Sequence, residues 1–295
     1  MGTWPEILME STTNGDLFAL RKKYLGSLSK LTGRNVIAYY SGWLNYPDEE
    51  KTEINDMDMS AFMAVVNSLD VDKGLDLILH TPGGSIVATE ALVKYLRNIF
   101  GTNIRAIVPQ LAMSAGTMIS CSCFEILMGK HSNLGPIDPQ FNGIPCQGVI
   151  EEFKQAIDAV KSDIASLPIW SVLISKYHPT FVGECQKLIE LSNDIVEDWL
   201  KTCMYAGEID AESRAKAVIQ VLGDHSTHKT HGRHISAKEC MDIGLKIKML
   251  EDDQKLQDAV LSVHHAFMLS LLSVNGLVKI VENQKGLCLQ FSKSS

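Results

Sequence analysis

Residues Leu79-His80-Thr81-Pro82-Gly83-Gly84-Ser85 mark a point where a strand passes directly into a helix. The apolar run Leu75-Asp76-Leu77-Ile78-Leu79 before it reads as a buried strand, and Ile86 to Ile99 after it repeats at helical spacing. Two glycines at such a junction leave their backbone N–H groups unhindered, beside a helix whose first N–H groups have no intrahelical acceptor. The turn is therefore a natural cradle for an anion, either a phosphate or the oxyanion of a tetrahedral intermediate. Strands and helices that alternate in this way imply an α/β chain with a parallel sheet and right-handed crossovers.

A second junction follows thirty residues after Gly84, at Met113-Ser114-Ala115-Gly116-Thr117. It comes after the strand-like run Ile104 to Val108 and before the apolar, small-residue stretch Met118 to Cys123. A serine flanked by small residues at the start of a helix suits a nucleophile, with its hydroxyl accessible and room for a substrate carbonyl. Read locally, the same serine also suits a helix N-cap.

The order of segments carries a resemblance. Leading from the two junctions are Phe124-Glu125-Ile126-Leu127-Met128-Gly129, then His131-Ser132-Asn133-Leu134-Gly135-Pro136-Ile137-Asp138-Pro139-Gln140, and later Gly232-Arg233-His234-Ile235-Ser236-Ala237 with Gly244-Leu245-Lys246-Ile247. This series resembles the Clp peptidase and signal peptide peptidase group of serine peptidases. It is most similar to the serine dehydrogenase proteinase family, through the His-Thr-Pro-Gly-Gly turn and the Leu-Gly-Pro-Ile-Asp-Pro-Gln segment. The resemblance implies a ClpP/crotonase-like β-β-α spiral over residues 34–250, with an N-terminal extension at 1–33 and a C-terminal helix and tail at 251–295. It further implies a homo-oligomer acting on peptide or unfolded-protein substrates. Ser114 would be the nucleophile, and the amides of Gly83, Gly84 and Ala115 the oxyanion hole. Two other readings share the fold: a catalytically silent scaffold that binds a partner or peptide, and a thioester-enolate enzyme of the crotonase branch, against which Ser114 argues.

A serine nucleophile needs a base. His131 lies in the segment where Clp peptidases carry their histidine, but the register is imperfect and places that position at Ile137, next to Asp138. Signal peptide peptidases use a Ser-Lys dyad, with lysine some fifty residues beyond the serine. Lys154, Lys161 and Lys176 fall in that window. Lys154 and Lys161 flank an apolar stripe and read as solvated. Lys176 lies in the apolar-rich turn Ile174 to Thr180, where desolvation would lower its pKa toward that of a useful base. Lys176 is thus the expected base, with His131 as the alternative and Asp138 as a supporting carboxylate. His225, His228, His231 and His234 recur at every third position. Histidines can hold zinc, but Gly232 interrupts any regular helix there. The run reads as a polar surface loop or a subunit contact, and neither metal nor cofactor is expected.

Composition narrows the function classes. The 295 residues carry a net charge of −8 without a basic stripe, which disfavours a nucleic-acid partner. Seven scattered cysteines, an odd number, suit a reducing compartment, so a cytoplasmic location is expected. The polar stretch Met1 to Asp16 lacks a signal-peptide core, and no apolar run reaches the ~18 residues of a membrane-spanning helix. Beyond Pro139 the pattern turns helical. Ile150, Phe153, Ile157, Val160 and Ile164 mark one helix face that Pro168 is expected to close; Phe181 to Ala206, Ala211 to Leu222 and Asp252 to Ser273 mark further helices.

Overall fold

The computed structural model describes residues 3–141, 143–224 and 230–293. In chain order, α1 (Trp4–Asn14) and α2 (Leu17–Thr32) lead into β1 (Asn35–Ser41), α3 (Met57–Val66), β2 (Leu75–His80), α4 (Ile86–Phe100) and β3 (Ile104–Val108). Then come β4 (Leu111–Ala112), α5 (Ala115–Cys121), β5 (Ile126–Met128), β6 (Asn133–Leu134), β7 (Gln140–Phe141) and β8 (Ile144–Pro145). The helical stretch holds α6 (Cys146–Ser162), α7 (Leu167–Ile174), α8 (Phe181–Trp199) and α9 (Ala211–Leu222). The chain finishes with β9 (Ile235–Ser236), α10 (Ala237–Asp242), β10 (Ile247–Met249), α11 (Gln254–Ser273), β11 (Leu277–Asn283) and β12 (Cys288–Ser292).

The main sheet has the order β10-β5-β3-β2-β1-β11-β12. From β10 to β1 the strands are parallel, while β11 and β12 run antiparallel at the far edge. The result is a mixed α/β fold with a mostly parallel central sheet. Strands β1, β2, β3 and β5 are buried along their whole lengths, as parallel strands covered on both faces must be, and this explains their continuous apolar runs. One face packs on α3, α4 and α8 through residues such as Phe62, Leu92, Leu96 and Val196. The other packs on α2 and α11 through Leu25, Leu28, Val260, Val263 and Phe267. Each such fully buried side chain contributes about 1.5–3 kcal/mol relative to exposure.

The C-terminal segment differs from a helix with a tail. Residues after Ser273 form β11 and β12, and β11 pairs with β1 with Tyr39 opposite Val281. Val278, Ile280 and Val281 are fully buried, and Arg21 of α2 meets Glu282 at 2.6 Å in the interior. Alternation of Lys279, Glu282 and Asn283 with apolar residues hid this strand, because those polar side chains are themselves buried with partners. In the helical stretch, α6 ends at Ser162, and Pro168 opens α7 rather than closing α6, as proline's fixed φ permits in a first turn. Ile150 and Phe153, like Phe181 and Leu188 of α8, pack against the buried cluster of Cys146, Val149 and Cys185, whereas Ile157 and Ile164 are 54% and 70% exposed. The long helix from Phe181 stops at Trp199 and passes into one wide π-type turn, Leu200–Met204.

Candidate active site

The two junctions meet because their backbones run side by side. Thr81 N–H donates to Leu111 O at 3.1 Å, and Met113 N–H donates back to Thr81 O at 2.9 Å. This pairing sets Gly83 against Ser114: a Cβ on Gly83 would stand 2.6 Å from the Ser114 Cβ, so no larger residue fits. Both glycines take positive φ, 105° for Gly83 and 149° for Gly84, which side chains disfavour. Ser114 has φ 50° and ψ −115°, and among the described residues it is the one non-glycine with positive φ. A serine held on such a sharp strand-to-helix corner presents its hydroxyl outward, as a nucleophile elbow does. Its side chain makes no capping hydrogen bond to α5, so the N-cap reading does not account for it.

The amides around Ser114 divide into engaged and free. Gly83 N–H donates to Thr81 Oγ1 at 3.2 Å. Ile54 N–H donates to Gly83 O at 2.7 Å and Ser85 N–H to Ile54 O at 2.9 Å, which pairs Ile54 with Gly84 and turns the N–H of Gly84 to the opposite side. Gly84 N–H and the N–H of Ala115, the first residue of α5, donate to no described residue. Among the described residues the N–H groups of Gly84 and Ala115 thus have no acceptor, while that of Gly83 is engaged within its own turn.

The loop after β6 closes the other side. Thr117 Oγ1 of α5 accepts the Gly135 N–H at 2.9 Å and lies 2.9 Å from the carbonyls of Ala112 and Gly135. Ile137 N–H reaches Leu222 O of α9 at 2.9 Å. The next residue, Asp138, is 1% exposed, and its Oδ1 lies 2.8 Å from Nδ1 of His231. His231 lines the same cleft as Gly83, Gly84 and Ser114, an opening of about 1240 Å³. An imidazole that donates its Nδ1 proton to a buried carboxylate keeps an unprotonated Nε2 to act as a base.

The expected bases lie elsewhere. Lys176 sits exposed on the turn after α7, outside the cleft, so the expected desolvation is not found. His131 is exposed on the loop after β5, also outside the cleft. Lys154 and Lys161 are exposed on α6, as read from the sequence. Of the histidine run, His225 and His228 lie outside the described residues, His234 is exposed, and His231 alone is placed at the cleft. Sequence reasoning missed the placement of His231 because its contact with Asp138 spans 93 residues. The available signal was a histidine just ahead of the Gly-Arg segment, in a run that reads from the sequence as a polar surface loop or a subunit contact.

The comparison with family models now has a geometry to meet. The family described as ClpP-like SDH-type serine proteinase matches residues 16–255, which include both junctions, Asp138 and His231. The chain belongs to this family. The chain is also similar to two uncharacterized proteins of Methanocaldococcus jannaschii. One is 28% identical over 190 residues, covering 64% of this chain and 59% of the relative. The other is 30% identical over 130 residues, covering 44% of each. The chain thus spans about three-fifths and under half of the lengths of these relatives. Among the described residues, no helix is long and apolar enough to cross a membrane.

Proposed function

We propose that this protein is a serine peptidase in which Ser114 is the nucleophile, His231 the base and Asp138 the carboxylate that orients the base. The observation that carries the reading is one cleft holding a serine on a positive-φ corner and a histidine hydrogen-bonded to a buried aspartate. Family membership supports the same class of reaction. In the forward step the Ser114 hydroxyl adds to the peptide carbonyl while His231 Nε2 accepts its proton. The carbonyl oxygen becomes an oxyanion between the N–H groups of Gly84 and Ala115. His231 then gives the proton to the departing amine, leaving an acyl-Ser114, and a water activated by the same imidazole releases the acid and restores the serine. Asp138 orients the imidazole and stabilises the imidazolium.

The base assignment replaces the Ser-Lys dyad, and substitutions separate the two. His231→Ala lowers kcat on a peptide substrate by about 10⁴-fold or more, while Lys176→Ala leaves it within about twofold. Loss of activity in Lys176→Ala with activity retained in His231→Ala would restore the lysine. A cleft of this size accommodates an extended peptide rather than a small ligand alone.

A further inference from the structure

Behind the Gly-Gly turn lies a charged cluster that takes no part in the chemistry just described. Lys279 of β11 and Asp58 of α3 are each about 1% exposed, and the Lys279 ammonium lies 2.8 and 3.0 Å from the two Asp58 oxygens. Asp58 also accepts the Tyr39 hydroxyl at 2.9 Å and the Asn55 N–H at 3.0 Å, while Lys279 donates to Glu53 O at 2.7 Å. The Lys279 ammonium sits 5.5 Å from the Tyr39 ring and 5.3 Å from the Phe291 ring.

The partners of this pair bracket a single residue. Glu53 O is held by Lys279 and Asn55 N–H by Asp58, so the backbone is fixed on both sides of Ile54. Ile54 is the residue that donates to Gly83 O and accepts from Ser85 N–H. Its backbone also stands where a Gly84 Cβ would be, 2.3–2.4 Å from that position. A second route runs through Tyr39: its hydroxyl lies beside Thr81, whose Oγ1 accepts the Gly83 N–H. Removing two charges from water costs about as much as their attraction returns, so such a pair adds little net stability. What it supplies is a fixed geometry.

We propose that Asp58 and Lys279 are positioning residues that hold Ile54, and through it the Gly84 amide, in register with Ser114. The inference rests on the peptidase reading of the cleft. It assigns β11, from the far end of the chain, a part in the site that it does not touch.

The test uses the full-length chain with Asp58→Asn, Lys279→Met and Tyr39→Phe. Each is measured for kcat per active site, with sites counted by labelling with a fluorophosphonate, and for amide hydrogen exchange. Misplacement of a catalytic group by about an ångström costs about 100-fold. Asp58→Asn and Lys279→Met are therefore expected to lower kcat per labelled site by about 30- to 100-fold with KM within about threefold, and Tyr39→Phe by less. A merely structural role would lower the fraction of labelled sites and leave kcat per site unchanged, and that result overturns the proposal. Should Lys279→Met fail to fold, Asp58→Asn and Tyr39→Phe, which keep shape, decide in the same way. If the wild-type chain neither labels nor cleaves peptides, the peptidase reading fails and exchange judges the clamp alone. Loss of protection of about tenfold or more at the Ile54 and Ser85 amides, with the sheet unchanged, supports it. Unchanged protection there refutes it.

Discussion

Replacing Ser114 by glycine and by alanine separates a strained nucleophile from a structural cap. The serine has φ 50° and ψ −115°, a corner conformation that glycine adopts freely and that costs other residues on the order of 1–3 kcal/mol. Glycine returns part of this gain, about 0.5–1 kcal/mol, through the greater freedom of the unfolded chain. The hydroxyl makes no capping hydrogen bond, so its deletion removes no cap from α5. Ser114→Gly is therefore expected to be more stable than the wild type by about 1 kcal/mol, or about 2 °C in Tm for a chain of 295 residues. Ser114→Ala keeps the strain and is expected to unfold within about 0.5 kcal/mol of the wild type. Both are inactive on a peptide substrate. Urea denaturation and differential scanning calorimetry on the three proteins, beside a casein or peptide assay, measure each quantity. If Ser114→Ala loses 1 kcal/mol or more, the hydroxyl is a structural cap. If either variant retains wild-type hydrolysis, Ser114 is not the nucleophile.

Other outcomes follow from the same geometry. Gly84→Ala puts a methyl group onto the Ile54 backbone and is expected to lower kcat by about 10²–10³-fold more than it raises KM; a pure KM effect would instead mark a ground-state anion site. His80, fully buried between Tyr40, Trp43 and His264 with neither ring nitrogen hydrogen-bonded among the described residues, is held by desolvation at a pKa of about 3 against the ordinary 6.5. The unfolded chain binds the extra proton between those values, so this contribution is complete above pH 6.5 and is lost as the pH falls toward 3. The loss is on the order of 5 kcal/mol at most; equilibrium unfolding of wild type and His80→Phe across that window is expected to show a shallower acid decline in the variant, and parallel curves would contradict it. Ile164, Ile169 and Val172 are 70%, 66% and 62% exposed around α7, an apolar surface of the kind that mediates association; light scattering is expected to give a mass above that of the 32.6 kDa chain, and a monomer at micromolar concentration refutes it.

The sheet and the two junctions were legible because they rest on local rules. Continuous apolar runs marked β2 and β3, and Pro-Gly-Gly and Ser-Ala-Gly marked the turns that follow. Helix α9 was placed at Ala211–Leu222 by periodicity alone. Elements whose polar side chains are buried with distant partners were not legible. β11 falls in the stretch read as a tail after the C-terminal helix, and its place in the sheet shows only once Arg21 and Asp58 are seen to pair with Glu282 and Lys279. The site divides along the same line. Gly83, Gly84, Ser114 and Ala115 are joined by contacts between neighbouring strand ends. Asp138 and His231 are brought together by the packing of the loop after β6 against α9, and no spacing rule encodes that contact. Lys176 was drawn in by the Ser-Lys spacing that the resemblance implies and by an apolar-rich turn that suggests burial, but that turn lies on the surface of the helical stretch.

The most direct test of the account is the reaction of the intact chain with a fluorophosphonate, followed by peptide mapping. The phosphonyl group is expected on Ser114 Oγ and on no other serine, with labelling abolished in Ser114→Ala and slowed by about 10³-fold or more in His231→Ala. Labelling of a different residue, or an unchanged rate in His231→Ala, would contradict the assignment of Ser114, His231 and Asp138 as the catalytic group.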